Sequence, residues 1–206
     1  MLQMYRRELI DSAGDLYCAL GWAFSRGKDS DCSNYDRKAY VFSNCAGASI
    51  YRKDLLFELG LFDERHESYL EDVDIGYRAR INGYRNVYVP KAYVYHAGSG
   101  VSGSRHNEFK VNLSARNSVF LAYKNMPLLQ LLINLPFLIV GHVVKLCFFA
   151  GKGLAVSYVK GLVAGIKLCF KSEKYTFSSK FIINYVKIQL ELWINLGLRF
   201  FGNSGN

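Results

Sequence analysis

Three prolines in 206 residues, two acidic side chains after residue 126 and no Cys-x-x-Cys pair are the scarcities that first narrow this sequence. The five cysteines (Cys18, Cys32, Cys45, Cys147 and Cys169) are odd in number and widely spaced. That arrangement excludes a zinc ribbon or a disulfide framework and predicts reduced thiols facing a cytoplasm. Residues 1–8 lack the apolar run of a secretory signal, so secretion is not expected. Internal repeats and low-complexity tracts are absent too. With 50% hydrophobic and 15% aromatic residues, the composition excludes a disordered chain.

The charge is unevenly placed. Residues 1–126 hold 17 Lys+Arg against 15 Asp+Glu, a net +2, whereas residues 127–206 hold 9 against 2, a net +7. The basic excess therefore sits in an otherwise apolar tail, which predicts contact with an anionic membrane surface. Nucleic acid is not an expected partner, because no basic patch in polar surroundings and no recognisable binding module occurs.

Hydrophobic period and punctuation predict a helix over 52–59 ending at Gly60, and a second over 70–82 ending at Asn82-Gly83. Glu71, Asp72 and Asp74 fall in the first turn of the second, and Arg78 lies at ion-pair spacing from Asp74. Val41-Phe42, 87–89 and 92–95 read as strands. Residues 97–108 read as a Gly/Ser loop, and a further helix carries Arg116 and Asn117 towards Met126-Pro127. The chain is thus α/β over residues 1–127, followed at 128–206 by a separate helical region.

That region holds three long apolar segments, roughly 128–150, 154–171 and 180–200. At 100° per residue, each gathers its polar residues into a stripe about 60° wide. The stripes are Gln130, Asn134, Gly141 and Lys145; then Lys160, Lys167, Lys171 and Lys174; then Lys180, Asn184, Lys187 and Glu191. Narrow, mostly cationic stripes suit helices lying in a membrane interface. A span at 128–150 has the right length, weakened by Pro136, His142 and Lys145. A soluble bundle is the third reading, with apolar arcs too wide for so short a tail to bury.

Few residues have the surroundings that chemistry needs. Glu71-Asp72, preceded by Tyr69, projects carboxylates from a helix start below a Gly-rich loop, a position for a general base. Acids in a first turn serve equally as helix caps. His96 closes a β-rich run beside the loop, which suits a metal ligand or phosphate contact as well as a structural histidine. Asp29-Ser30-Asp31 has the spelling of a metal motif but follows Ser25-Arg26-Gly27-Lys28 instead of an apolar strand, and reads as a solvated loop.

Taken in order, the motifs resemble those of family 2 glycosyltransferases, in the non-processive, rhamnosyltransferase-like subgroup. They are Gly47-Ala48-Ser49-Ile50-Tyr51-Arg52-Lys53, Gly60-Leu61-Phe62-Asp63-Glu64 and Tyr69-Leu70-Glu71-Asp72-Val73-Asp74, followed by Gly83-Tyr84, Val89-Pro90-x-Ala92, His96 and Arg116-Asn117. The likeness covers roughly residues 10–127, and the tail is similar to the membrane-associating C-terminus of that subgroup.

The resemblance implies part of a GT-A fold, a mixed α/β sheet, followed by amphipathic membrane-associated helices. It implies a nucleotide-sugar donor, a glycan or lipid-linked acceptor and a divalent cation, Mg or Mn. Asp72 would be the general base in an inverting transfer and Glu71 would orient the acceptor. Gly47 and Ala48 would let the backbone approach the donor sugar, with Asp74 also in contact with substrate. Arg105 or His106 would reach the diphosphate, and His96 would ligate the metal or the diphosphate. The loop at 97–108 would close over the donor.

The family's N-terminal nucleotide-binding half has no counterpart here. The expectation is therefore an enzyme completed by a chain supplying that half, at the cytoplasmic face of the cell membrane as a peripheral or monotopic protein. The alternative is a catalytically inactive membrane-binding remnant.

Overall fold

The structure is a computed structural model describing residues 1–98 and 106–202. It is a mixed α/β protein. Short strands and turns occupy the first part: β1 (Leu2–Gln3), β2 (Asp15–Tyr17), β3 (Ala23–Ser25) and β4 (Ala39–Val41). Helix α1 (Lys53–Glu58) and α2 (Glu71–Ile81) follow, then β5 (Asn86–Tyr88) and β6 (Tyr95–His96). Four helices complete the chain: α3 (Glu108–Asn125), α4 (Leu128–Ala150), α5 (Ala155–Phe170) and α6 (Ile182–Phe201).

The single mixed sheet expected from the sequence does not form among the described residues. Instead β1 pairs with β6 in parallel, while β2–β3 and β4–β5 pair antiparallel. None of the described strands exceeds three residues, too few for an extended ladder, and one bridge between Asp15 and Ser43 joins the second pair to the third.

The helix boundaries fall close to the expected ones, for a local reason. Gly60 and Gly83 take positive φ, +83° and +84°. At the first, Leu61 N–H donates to Leu56 O at 2.8 Å and Gly60 N–H to Phe57 O at 3.1 Å. At the second, Tyr84 N–H donates to Ala79 O at 2.9 Å and Gly83 N–H to Arg80 O at 3.0 Å. Both helices thus close with the same paired motif, which a left-handed glycine makes cheap. Helix α3 starts where the Asn107 side chain accepts from Lys110 N–H at 2.9 Å.

The change of composition at 127/128 is not a break in packing. One core holds Tyr17, Phe42, Val73, Tyr77, Ile81 and Leu121 together with Leu138 of α4 and Tyr185, Ile188 and Leu192 of α6. Polar side chains stitch the same seam. Tyr77 Oη donates to Gln130 Oε1 at 3.0 Å, Asn195 Nδ2 to Tyr17 O at 2.9 Å, and Asn184 Nδ2 to Ile81 O at 2.9 Å. Asn134 and Gln189 exchange two hydrogen bonds, and Arg80 pairs with Glu191.

This seam corrects the reading of the polar stripes. On α4, Gln130, Asn134 and Gly141 are buried, and on α6 Asn184 and Glu191 hold partners in the body. These polar side chains face the protein, because satisfying a buried amide needs a fixed partner that only the body supplies, while Lys180 and Lys187 of the α6 stripe stay exposed. Helix α5 differs: its Lys160 and Lys167 are exposed, while Gly161 and Gly165 lie against α3.

At these two glycines the helices touch backbone to backbone. A Cβ on Gly161 would overlap the Asn112 carbonyl oxygen, and one on Gly165 would stand 2.6 Å from Arg116 O. Gly161→Ala is therefore expected to lower unfolding free energy by about 1–3 kcal/mol, the usual cost of overpacking. Gly197→Ala, with no neighbour within 4 Å among the described residues, is expected to be neutral or to gain up to about 1 kcal/mol by restricting the unfolded chain. Denaturant midpoints compare them; equal effects at both sites would contradict the close α3–α5 contact.

Candidate functional site

Helix α2 enters its first turn from an unusual backbone. Glu67, Tyr69 and Leu70 have φ of 58°, 69° and 69°, three non-glycine residues in the left-handed region within four positions. Such residues cost on the order of 1 kcal/mol or more each and persist only where the surroundings hold them. Here the holder is the Arg116-Asn117 pair on α3. Asn117 Nδ2 lies 2.7 Å from His66 O, 2.8 Å from Ser68 O and 2.8 Å from Tyr69 O. Arg116 donates to Arg65 O at 2.7 Å and His66 O at 3.1 Å, and pairs with Glu67.

One turn further on, the three acids of the motif separate. Asp72 Oδ2 accepts from Ala46 N–H at 3.2 Å, and Oδ1 accepts from Val73 N–H at 2.8 Å. Burial pushes its carboxyl above the usual range, against the pull of those two amides. Glu71 is half-buried and likewise raised, chiefly by burial.

Asp74 points the other way, which corrects its expected contact with substrate. It is wholly buried, with Oδ2 accepting from Arg78 Nε at 2.9 Å and Lys124 Nζ at 2.8 Å, and Oδ1 from Asn125 Nδ2 at 2.8 Å. Burial would raise its pKa, but His66, Arg78 and Lys124 outweigh that and hold it far below the usual carboxylate range. At 100° per residue, position 74 lies about 160° round the helix from position 72, so α2 cannot turn both of those carboxylates to one side.

Two residues not singled out in the sequence join Asp72. Ligand atoms of Asp15, Cys45 and Asp72 lie within 4.8 Å of one another. Asp15 accepts from Ser12 Oγ at 3.2 Å and Ser25 Oγ at 3.0 Å, and burial with the neighbouring Asp72 raises it to about 6. Burial and Asp15 push the Cys45 thiol up to about 11. The available signal was Gly14-Asp15 at the start of a β-prone Leu16-Tyr17, an acid at a strand end. A second group, Asp63, His66 and Asp74, has similar spacing. Lys124 Nζ bridges it, 2.6 Å from Asp63 and 2.8 Å from Asp74, so it is an ion-pair network.

The other expected residues are dispersed. His96 is half exposed, its Nδ1 2.8 Å from Asp11 Oδ2, and Asp11 also pairs with Lys28. Gly47 and Ala48 lie in a short turn, Ala46–Ala48, and Ala48 borders a cleft of ≈ 200 Å³ with Met1, Gly14, Cys45, Val89 and Ala92. Among the described residues a Cβ on Gly47 would meet only Met1 Sδ at 3.9 Å, so none of them requires glycine there. His106 rests edge-on against Phe148 and Phe149 at the end of α4, with centroids at 5.7 and 5.8 Å. Arg105 and most of the expected loop at 97–108 lie outside the described residues. Asp29 and Asp31 are exposed: one accepts from Gln3 at 2.6 Å and the other caps the turn at Cys32–Tyr35.

Comparison of the chain with protein-family models, with curated proteins and with solved structures finds no match.

Asp15 makes a signed prediction about pH. Its folded pKa of about 6 exceeds the ordinary 3.8, so the native state keeps a proton that the unfolded chain has released. The stability that proton contributes is complete below about pH 4 and is lost as pH rises through 6. Asp15→Asn, which cannot ionise, is expected to match wild type at pH 4 and exceed it at pH 7.5 by about 1–3 kcal/mol. Parallel denaturation curves at both pH values would remove the assignment.

Proposed function

We propose that this chain is the acceptor-side part of an inverting glycosyltransferase of GT-A type, with Asp72 as the general base, working at a membrane surface. The observation that carries the reading is the presentation of Asp72. A clamped, left-handed backbone delivers it to the start of α2, two backbone amides orient it, and burial lifts its proton affinity towards working pH. A carboxylate held in that way can accept a proton from an acceptor hydroxyl. The hydroxyl oxygen attacks the anomeric carbon from the face opposite the leaving group, the carbon–phosphate oxygen bond breaks, and the nucleoside diphosphate departs with the bonding electrons. Configuration inverts, and the proton ends on Asp72. Glu71, next in the chain and half-buried, orients the acceptor.

A divalent cation, implied by the resemblance, would offset charge on the diphosphate. The Asp15–Cys45–Asp72 group offers two carboxylates and a thiol kept protonated, short of the oxygen shell that Mg²⁺ or Mn²⁺ takes. His96 adds an imidazole whose Nδ1 is oriented by Asp11, in the manner of a ligand held by a carboxylate behind it. These residues do not make a metal centre by themselves.

The membrane part of the proposal rests on the outward faces of the last three helices. Leu129, Ile139 and Val143 of α4, Val156 and Val163 of α5, and Ile194 and Leu198 of α6 are all exposed, among exposed Lys160, Lys167 and Lys187. Helix α4 is long and apolar enough to cross a bilayer. Crossing would strip Gln130 and Asn134 from Tyr77 and Gln189 and leave amides unpaired in hydrocarbon. The helices are therefore assigned to the plane of the membrane, at the cytoplasmic face, with anionic headgroups near the lysines. A lipid-linked or cell-envelope glycan acceptor suits that placement.

Mixed with a donor-binding partner, a nucleotide-sugar and Mn²⁺, the chain is expected to transfer sugar, and Asp72→Asn to lower turnover by about 10²–10⁴-fold. Undiminished turnover in that variant would sink the base assignment, and no turnover in either protein would favour the inactive remnant. For the membrane part, Ile139→Asp combined with Ile194→Asp is expected to weaken co-sedimentation with anionic vesicles at least tenfold while leaving the melting temperature unchanged. Equal sedimentation of variant and parent would exclude these faces.

A further inference from the structure

We infer that Asn117 is a positioning residue: its side-chain amide holds the backbone of residues 66–70 in the one conformation that delivers Asp72 to its two amide donors. As a statement about catalysis this rests on the reading of Asp72 as base; as a statement about the loop it stands alone.

The geometry is specific to a primary amide. Nδ2 of Asn117 faces three carbonyl oxygens, His66, Ser68 and Tyr69, at 2.7–2.8 Å. Each of those residues immediately precedes one at positive φ: Glu67, Tyr69 and Leu70. A positive φ re-aims the peptide unit before the residue that adopts it, and here the three carbonyls so turned converge on one point. Converging carbonyl dipoles repel unless a donor occupies that point, and Asn117 supplies it from a wholly buried position on α3. Its Oδ1 is engaged as well, accepting from Arg116 Nε at 3.0 Å, so the amide cannot flip without losing both sets of bonds.

The support extends behind α3. Gly165 of α5 packs on the Arg116 carbonyl, and Lys124 and Asn125, two turns along α3, hold Asp74 from the other end of the motif. Asp72 is thereby suspended between two anchor points on one helix. The ion network sets where α2 lies; Asn117 sets the backbone from which it starts. None of this involves contact with substrate, which is why the role is positioning.

The test is Asn117→Asp in the full chain, an isosteric change that replaces the donor with a carboxylate facing three carbonyls. Hydrogen–deuterium exchange is read at the amides of His66, Glu67 and Ser68, each hydrogen-bonded in the native turn. Exchange there is expected to quicken at least tenfold, with α6 unchanged. With the donor half present, kcat is expected to fall at least tenfold while KM for the nucleotide-sugar stays within about twofold. Unchanged exchange at those three amides overturns the inference, as does faster exchange spread equally through α6, which would mark general loss of structure. If Asp72→Asn remains fully active, the base assignment fails and the exchange data alone decide on Asn117. If Asp72→Asn is inactive and Asn117→Asp keeps wild-type kcat, the base assignment stands and the positioning role is lost.

Discussion

The carboxylate of Asp74 has been taken wholly out of water, and an anion there is tolerable only because two cations and an amide close around it. Arg78 comes from the same helix one turn on, while Lys124 and Asn125 come from the far end of α3. Removing Arg78 or Lys124 takes one of two cations from a buried anion, a penalty of up to about 3–5 kcal/mol. Helices α2 and α3 are therefore held in register by this charged cluster as well as by the apolar core they share. Everything at the start of α2 depends on that register, including the clamp on residues 66–70 and the reach of Asp72 to the Ala46 amide.

A site built in this way divides its labour along one short motif. Of Glu71, Asp72 and Asp74, the first two are raised by burial and the third is depressed by its cations. The difference comes from what stands opposite each side chain. Asp72 looks at backbone amides and at Asp15; Asp74 looks at Arg78 and Lys124. Adjacent acids with displaced proton affinities give one carboxyl available to take a proton and one that never leaves its charged form in water, which is the separation acid–base chemistry needs.

The tail helices belong to the same mechanical unit. In the aromatic cluster Tyr77 meets Tyr17 and Phe42 edge-on, those two tilt against each other, centroids lie 5.4–6.2 Å apart, and α4 and α6 complete its cover. Polar residues that would be awkward in a membrane-facing helix are spent on this seam, leaving the outer surfaces almost uniformly apolar between lysines. A bilayer lying on that surface would be coupled rigidly to α3 through the glycine contacts of α5, and so to the clamp.

Much of this was legible in the residues themselves. Gly60 and Gly83 stop their helices because a left-handed residue is cheapest as glycine, a local effect that needs no tertiary context. The spacing of Asp74 and Arg78 announced an ion pair, and apolar runs after Pro127 announced three helices, because period and breakers act within a few residues. Only tertiary structure decided which way each helix turns. Gln130, Asn134 and Glu191 face inward towards Tyr77, Gln189 and Arg80, partners that lie far away in sequence. The same distance separated Asp15 and Cys45 from Asp72, and Asn117 from the carbonyls it holds. Those contacts arise when loops of tens of residues close, and no local pattern of hydrophobicity or charge records where they close.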